Sequence, residues 1–146
     1  MTFTPALVAL DIDGTIVSVN GDLPDDVRDA VRRVIAAGVP VVLTTGRAWA
    51  GTQKIFDALG LPPGPSVCAN GAMIVNYPPV DVVHEIRFDP ADSISRVARL
   101  APNAAIAVTD GMLWRVSKPF PDGELNGDFV VESVEELASR PVSRIV

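Results

Sequence analysis

Four apolar residues, Leu7-Val8-Ala9-Leu10, run without transition into Asp11-Ile12-Asp13-Gly14-Thr15. An unbroken apolar run of this length, closed by a turn signal, reads as a strand buried on both faces, as in parallel sheets. Open α/β sheets bind their ligands beyond the carboxyl ends of such strands. The two acids therefore stand where such a fold does its chemistry. Spaced two apart, they would share a face on a continuing strand. A bend at Gly14 would instead let both carboxylates, and the N–H groups beyond them, converge on one point. Two neighbouring acids repel each other unless a cation or proton intervenes, and an oxygen-only donor set favours Mg²⁺. The other reading is an acidic turn after a strand, its carboxylates solvated or capping local N–H groups.

Further along, Ile16-Val17-Ser18-Val19 before Asn20-Gly21 reads as a short strand entering a tight turn. Pro24 opens a helix with Asp25 and Asp26 in its first turn, where negative charge suits the dipole. Val27, Val31, Val34 and Ile35 recur at helical spacing and Gly38 ends the element. A second strand follows over 39–43. A right-handed crossover makes it parallel to the first and delivers Thr44-Thr45-Gly46-Arg47 to the edge that holds Asp11. A helix over 49–59, with Ile55, Phe56 and Leu59 inward and Trp49 as a packing residue, closes at Gly60. After the stiff loop Leu61-Pro62-Pro63-Gly64-Pro65, a third buried strand over 66–69 ends in Asn70-Gly71-Ala72. Arg47 can contact a substrate or form a salt bridge at a helix start, and Asn70 can face a substrate or simply form the turn.

From Met73 onward the pattern changes to strands with mixed faces, over 73–77 and 82–88, around a Pro78-Pro79 break. Asp89-Pro90 opens a helix with Ile94, Val97, Ala98 and Ala101 on one face. Strands over 104–108 and 112–116 form a hairpin about Asp110-Gly111, followed by a polar loop over 118–127, a short helix over 134–139 and an incipient strand over 142–146. Asp110 and Asp122 read as turn residues. His84 is the only histidine and has no second ligand near it in sequence, which favours a surface or packing role.

Asp11-Ile12-Asp13-Gly14-Thr15 resembles the first motif, D-x-D-G-T, of the haloacid dehalogenase superfamily. Thr44-Thr45-Gly46-Arg47 and Asn70-Gly71-Ala72 resemble its Cof-like branch. The resemblance implies an α/β fold, with a partial Rossmann-like parallel sheet core over 1–72 and an inserted mixed α/β cap over 73–146. It implies Asp11 as the nucleophile that becomes an aspartyl phosphate and Asp13 as the general acid/base; an acid at this second position points to phosphatase or phosphomutase chemistry. By the same resemblance the Thr45 hydroxyl, with Thr44 as the alternative, and the N–H groups of Ile12 and Gly46 hold the phosphoryl group, with Arg47 and Asn70 as candidate substrate contacts. Asp11 and Asp13, the latter through its carbonyl, are the implied Mg²⁺ ligands. The activity so implied is Mg²⁺-dependent hydrolysis of a small phosphorylated metabolite such as a sugar phosphate. The alternatives are a phosphomutase, or a truncated module that is non-catalytic or completed by a partner. In this branch a lysine and an acidic pair follow the cap. Lys54 and Lys118, the only lysines, match neither position, so the chain is expected to be part of a longer enzyme.

Composition narrows the partners. Eighteen acids against twelve bases give a net charge of −6, which argues against a nucleic-acid-binding surface. A single cysteine excludes an intramolecular disulfide, and Cys68 within Val67-Cys68-Ala69 reads as a small buried hydrophobe. The first residues lack the basic start of a signal peptide and no apolar segment reaches membrane-spanning length, so a soluble cytoplasmic protein with no membrane partner is expected.

Overall fold

In the computed structural model, which describes residues 5–18, 20–109, 111–121 and 123–146, the first apolar run forms β1 (Val8–Leu10). Helix α1 (Asp25–Ala36) carries the chain across to β2 (Val41–Thr44), and α2 (Trp49–Leu59) carries it on to β3 (Gly64–Cys68). The pairings are parallel, with Leu10 opposite Leu43 and Thr44 opposite Val67. This register brings the three carboxyl ends level with one another, so Asp11, Thr45 and Asn70 emerge at one edge.

The helices follow from local chemistry. Pro24 caps α1 from an extended conformation (φ −63°, ψ 147°), Asp25 and Asp26 occupy its first turn, and Arg33 occupies its last. Helix α2 stops at Gly60, whose φ of +67° is the left-handed conformation that only glycine adopts freely. Its inward face packs Ile55, Phe56 and Leu59 against Ile12, Val31 and Leu43. Trp49 is buried and meets Tyr77 edge-on at 5.2 Å between ring centroids, as its packing role requires. Cys68 is fully buried and donates to the Thr52 hydroxyl; burial pushes its thiol pKa up, in keeping with an inert packing residue.

Two expectations change. Residues 16–18 form no strand: the Ile12 carbonyl accepts from the N–H groups of Ile16 (3.1 Å) and Val17 (2.9 Å), and Gly14 N–H donates to the Val17 carbonyl at 3.0 Å. The chain after Asp13 curls into a tight turn because Ile16 and Val17 both fold inward to the core; Val19 lies outside the described residues. The second change concerns Met73. β4 (Met73–Tyr77) reverses and pairs antiparallel with β3 over five residues, and β5 (Asp81–Glu85) lies beyond it, giving the order β1-β2-β3-β4-β5. The chain accordingly divides into the compact units Met1–His84 and Glu85–Val146, twelve residues beyond the change of pattern at 72/73. His84 is exposed on β5.

The second unit holds α3 (Ala91–Leu100), β6 (Ala107–Thr109), β7 (Trp114–Val116), β8 (Phe129–Val131), α4 (Val134–Leu137) and β9 (Arg144–Ile145). Its sheet runs β8-β7-β6-β9. The expected hairpin is the antiparallel pair β6–β7, while Asp110 and Asp122 lie outside the described residues. Ile94, Ile106, Val108, Leu137 and Val142 form its core. Buried Arg115 reaches the Leu137 carbonyl (3.3 Å) and Glu132 (3.4 Å), which also binds Arg140 at 3.0 Å. A charge this deep persists only when paired. Among the described residues, no helix is long and apolar enough to cross a membrane.

Candidate active site

The loops that follow β2 and β3 are sewn together by their own backbone. Thr45 N–H donates to the Val67 carbonyl (2.9 Å), Ala69 N–H to the Arg47 carbonyl (2.8 Å) and Asn70 N–H to the Thr45 carbonyl (3.0 Å). To make these bonds the chain turns through two positive-φ residues, Ala69 (+51°) and Asn70 (+55°). Asparagine tolerates that conformation; alanine adopts it at a cost of about 1–2 kcal/mol, as strained backbone beside a site commonly does.

The result is an open cavity of about 350 Å³ lined by Asp11, Thr44, Thr45, Gly46, Val67, Asn70 and Gly71. Asp11 presents its carboxylate there, with Oδ2 accepting from the Thr15 hydroxyl at 3.2 Å. Thr45 is 5% exposed, and its hydroxyl accepts from Arg47 N–H at 3.1 Å. Gly46 has a steric reason to be glycine, since a Cβ there would stand 2.9 Å from Asn70 Oδ1. Thr44, the alternative to Thr45 for the phosphate-binding hydroxyl, also lines the cavity beside it. Val67 carried no signal of a site role in the sequence, and Gly71 entered only as part of Asn70-Gly71-Ala72. Ile12 is not among the residues that line the cavity, and its side chain is wholly buried.

Asp13 and Arg47 stand apart from the cavity lining and hold each other. Arg47 Nε donates to Asp13 Oδ2 at 2.9 Å and Oδ1 at 3.2 Å, while Nη2 donates to Oδ1 at 2.5 Å. This charge-assisted fork between residues 34 positions apart pulls the Asp13 carboxyl below its ordinary pKa and raises that of Arg47.

Oxygen donors for a divalent cation are few in this arrangement. Asp11 faces the cavity, the Asp13 carboxylate is turned to Arg47, and no group of three or more acidic, histidine or cysteine side chains gathers among the described residues. Near-octahedral Mg²⁺ coordination requires more donors than this pair, so the described residues alone do not complete such a site.

The sequence profile of the haloacid dehalogenase-like hydrolases matches residues 8–128. The YxeH protein of Bacillus subtilis is 40% identical over 82 residues, which are 55% of this chain and 30% of that one. The 5-amino-6-(5-phospho-D-ribitylamino)uracil phosphatase YwtE of the same organism is 33% identical over 67 residues, 46% of this chain and 22% of that one. A solved structure of the subclass IIB sugar phosphatase BT4131 superposes with a TM-score of 0.72 at 19% identity, covering 94% of this chain and 57% of that one. The matched segments thus span less than a third of these curated relatives, and the chain covers a little over half of the solved structure.

Proposed function

This chain belongs to the haloacid dehalogenase-like hydrolase family, and from that membership we propose that it carries the nucleophile and phosphate cradle of a phosphomonoesterase acting on a small phosphorylated metabolite. The observation that carries the reading is the cavity at the strand ends, where an exposed carboxylate faces a glycine, a threonine hydroxyl and a carboxamide. Asp11 attacks phosphorus in line, forming an Asp11 O–P bond as the bond to the ester oxygen breaks. In its protonated form, with the Arg47 contact given up, Asp13 delivers its proton to the departing oxygen, then takes one from the water that cleaves the aspartyl phosphate and restores Asp11. The Thr45 hydroxyl, the Asn70 carboxamide and the N–H groups of Ile12 and Gly46 orient the phosphoryl oxygens.

Asp11 and the Asp13 carbonyl are this chain's proposed share of a Mg²⁺ site, and the cation's charge would neutralise phosphate oxygens. In this reading the second unit corresponds to the cap. A sugar phosphate is the favoured substrate class, since a structure of a sugar phosphatase superposes on nearly the whole chain. Asp11→Asn in the protein as its gene encodes it is expected to abolish release of inorganic phosphate and ³²P labelling from a phosphomonoester. Undiminished phosphate release by that variant would refute the assignment.

A further inference from the structure

We propose that the outer edge of β5 is the contact through which two copies of this chain associate, strand beside antiparallel strand about a two-fold axis at Val82. β5 ends the order β1-β2-β3-β4-β5, so its outer edge meets no strand among the described residues. Such an edge offers a row of N–H and C=O groups to any strand that approaches, and natural proteins guard it with lysine, proline or a cover. Residues 80–85, Val-Asp-Val-Val-His-Glu, contain neither lysine nor proline. They are also open to solvent: Val80 is 47% exposed, Val82 37% and Val83 49%, with Asp81 and His84 exposed beside them. Successive side chains point to opposite faces of a sheet, so valine is bare on both. β-Branched side chains gain most where a second strand packs alongside.

The charges along this edge fit a second copy in one register. Identical antiparallel strands related by a two-fold axis perpendicular to the sheet place one residue opposite itself, because opposed residues share a face. With Val83 at the axis, the five residues of β5 match end to end, but each Asp81 stands opposite Glu85 of the second copy. Like charges directly opposed are destabilising. With His84 at the axis, two imidazoles are opposed and each Val83 meets the Glu85 carboxylate. With Val82 at the axis, valine meets valine, each Val80 meets His84 and each Asp81 meets Val83. No two acids are then directly opposite, and Val80 and Val82 of both copies form one apolar stripe across the joint. Two five-stranded sheets become one continuous sheet. The joint is short, so association is weak, with a Kd of about 0.1 mM. Val82 lies outside the cavity lining, so this joint and the phosphomonoesterase reading stand or fall separately.

In the protein as its gene encodes it, sedimentation equilibrium is expected to show a mass that rises with concentration toward that of a dimer. Val82→Lys, which opposes two ammonium groups at the axis, should weaken association by about tenfold or more. Its urea midpoint, measured where the parent is monomeric, should match the parent's, which separates a lost contact from a lost fold. Cysteine reports the register and decides the matter if that variant unfolds. Directly opposed residues lie about 5 Å apart, within reach of a disulfide, whereas residues two positions out of register stand about 7–8 Å apart and are not. Val82→Cys should therefore cross-link two copies on mild oxidation. Val83→Cys, whose counterpart stands two positions away, should not. Cys68 is fully buried and does not compete.

A protein that stays monomeric at about 1 mM, ten times the expected Kd, would leave the edge to a strand of another protein or to none, and would overturn the inference. So would association undiminished by a folded Val82→Lys, or cross-linking through Val83→Cys as fast as through Val82→Cys.

Discussion

Asn70 offers a way to separate backbone geometry from chemistry at one residue. Its φ of +55° and ψ of 34° lie in the left-handed region, and its N–H closes the bond to the Thr45 carbonyl that joins the two loops. An ordinary L-residue there pays about 1–2 kcal/mol, a penalty that asparagine partly escapes and glycine escapes altogether. Asn70→Ala should therefore destabilise the first unit by about 1 kcal/mol. Asn70→Gly should remain within about 0.5 kcal/mol of the parent, its relaxed backbone offset by a freer unfolded chain. For a chain of this size the alanine variant should melt about 3 °C lower. Urea unfolding followed by tryptophan fluorescence measures the difference, and an alanine variant as stable as the glycine variant would refute the strain argument. Both substitutions delete the carboxamide from the cavity. If it contacts phosphate, inorganic phosphate should bind both variants roughly fivefold more weakly, about the loss of one neutral hydrogen bond. Unimpaired phosphate binding by Asn70→Gly would reduce Asn70 to a former of the turn.

Gly46→Ala should force the Asn70 carboxamide aside, since the new Cβ would lie 2.9 Å from Oδ1. Because Asn70 is exposed and can rotate, the stability loss should stay below about 1 kcal/mol while phosphate affinity falls as in Asn70→Ala; isothermal titration separates the two effects. Leu59→Ala, at a position with no exposed surface between helix and sheet, should cost about 3 kcal/mol and lower the urea midpoint at an unchanged slope. The fork between Arg47 and Asp13 sets a pH dependence. Because the folded pKa of Asp13 lies below its ordinary 3.8, the pair's contribution is complete above that value and is lost as pH falls through the folded pKa. Asp13 is well exposed, so the effect should be under about 1 kcal/mol, visible as a shallower acid-unfolding curve in Arg47→Met.

The parts of the fold that could be read in advance were those where one residue pattern permits one solution. Val8 to Leu10 and residues 41–44 are apolar runs ended by polar turn residues, and with a helical stripe between them parallel pairing follows from the handedness of the crossover. Pro24, Gly38 and Gly60 mark helix limits by backbone chemistry, and the structure agrees to within a residue or two. Membership of Met73–Tyr77 in the first sheet was not legible, because a strand's residues do not declare which neighbour it pairs with. β8 was missed outright: Phe129, Val130 and Val131 are all exposed, so no alternation of faces marks them. At the candidate site, the strand ends fixed where Asp11, Thr45 and Asn70 would emerge. The choice between a substrate contact and a salt bridge at Arg47 depends on the path of a long side chain, which spacing along the chain does not determine. The positive φ of Ala69 gave no signal at all, alanine being an unusual choice there.

The order of the first sheet also has a consequence for how the molecule is made. β1, β2 and β3 add in the order in which they are synthesised, each beside its predecessor, and every residue lining the cavity falls between positions 11 and 71. At about 5–20 residues per second, these residues all leave the ribosomal exit path within several seconds of one another. Every residue that lines the cavity is thus translated before the second unit begins at Glu85.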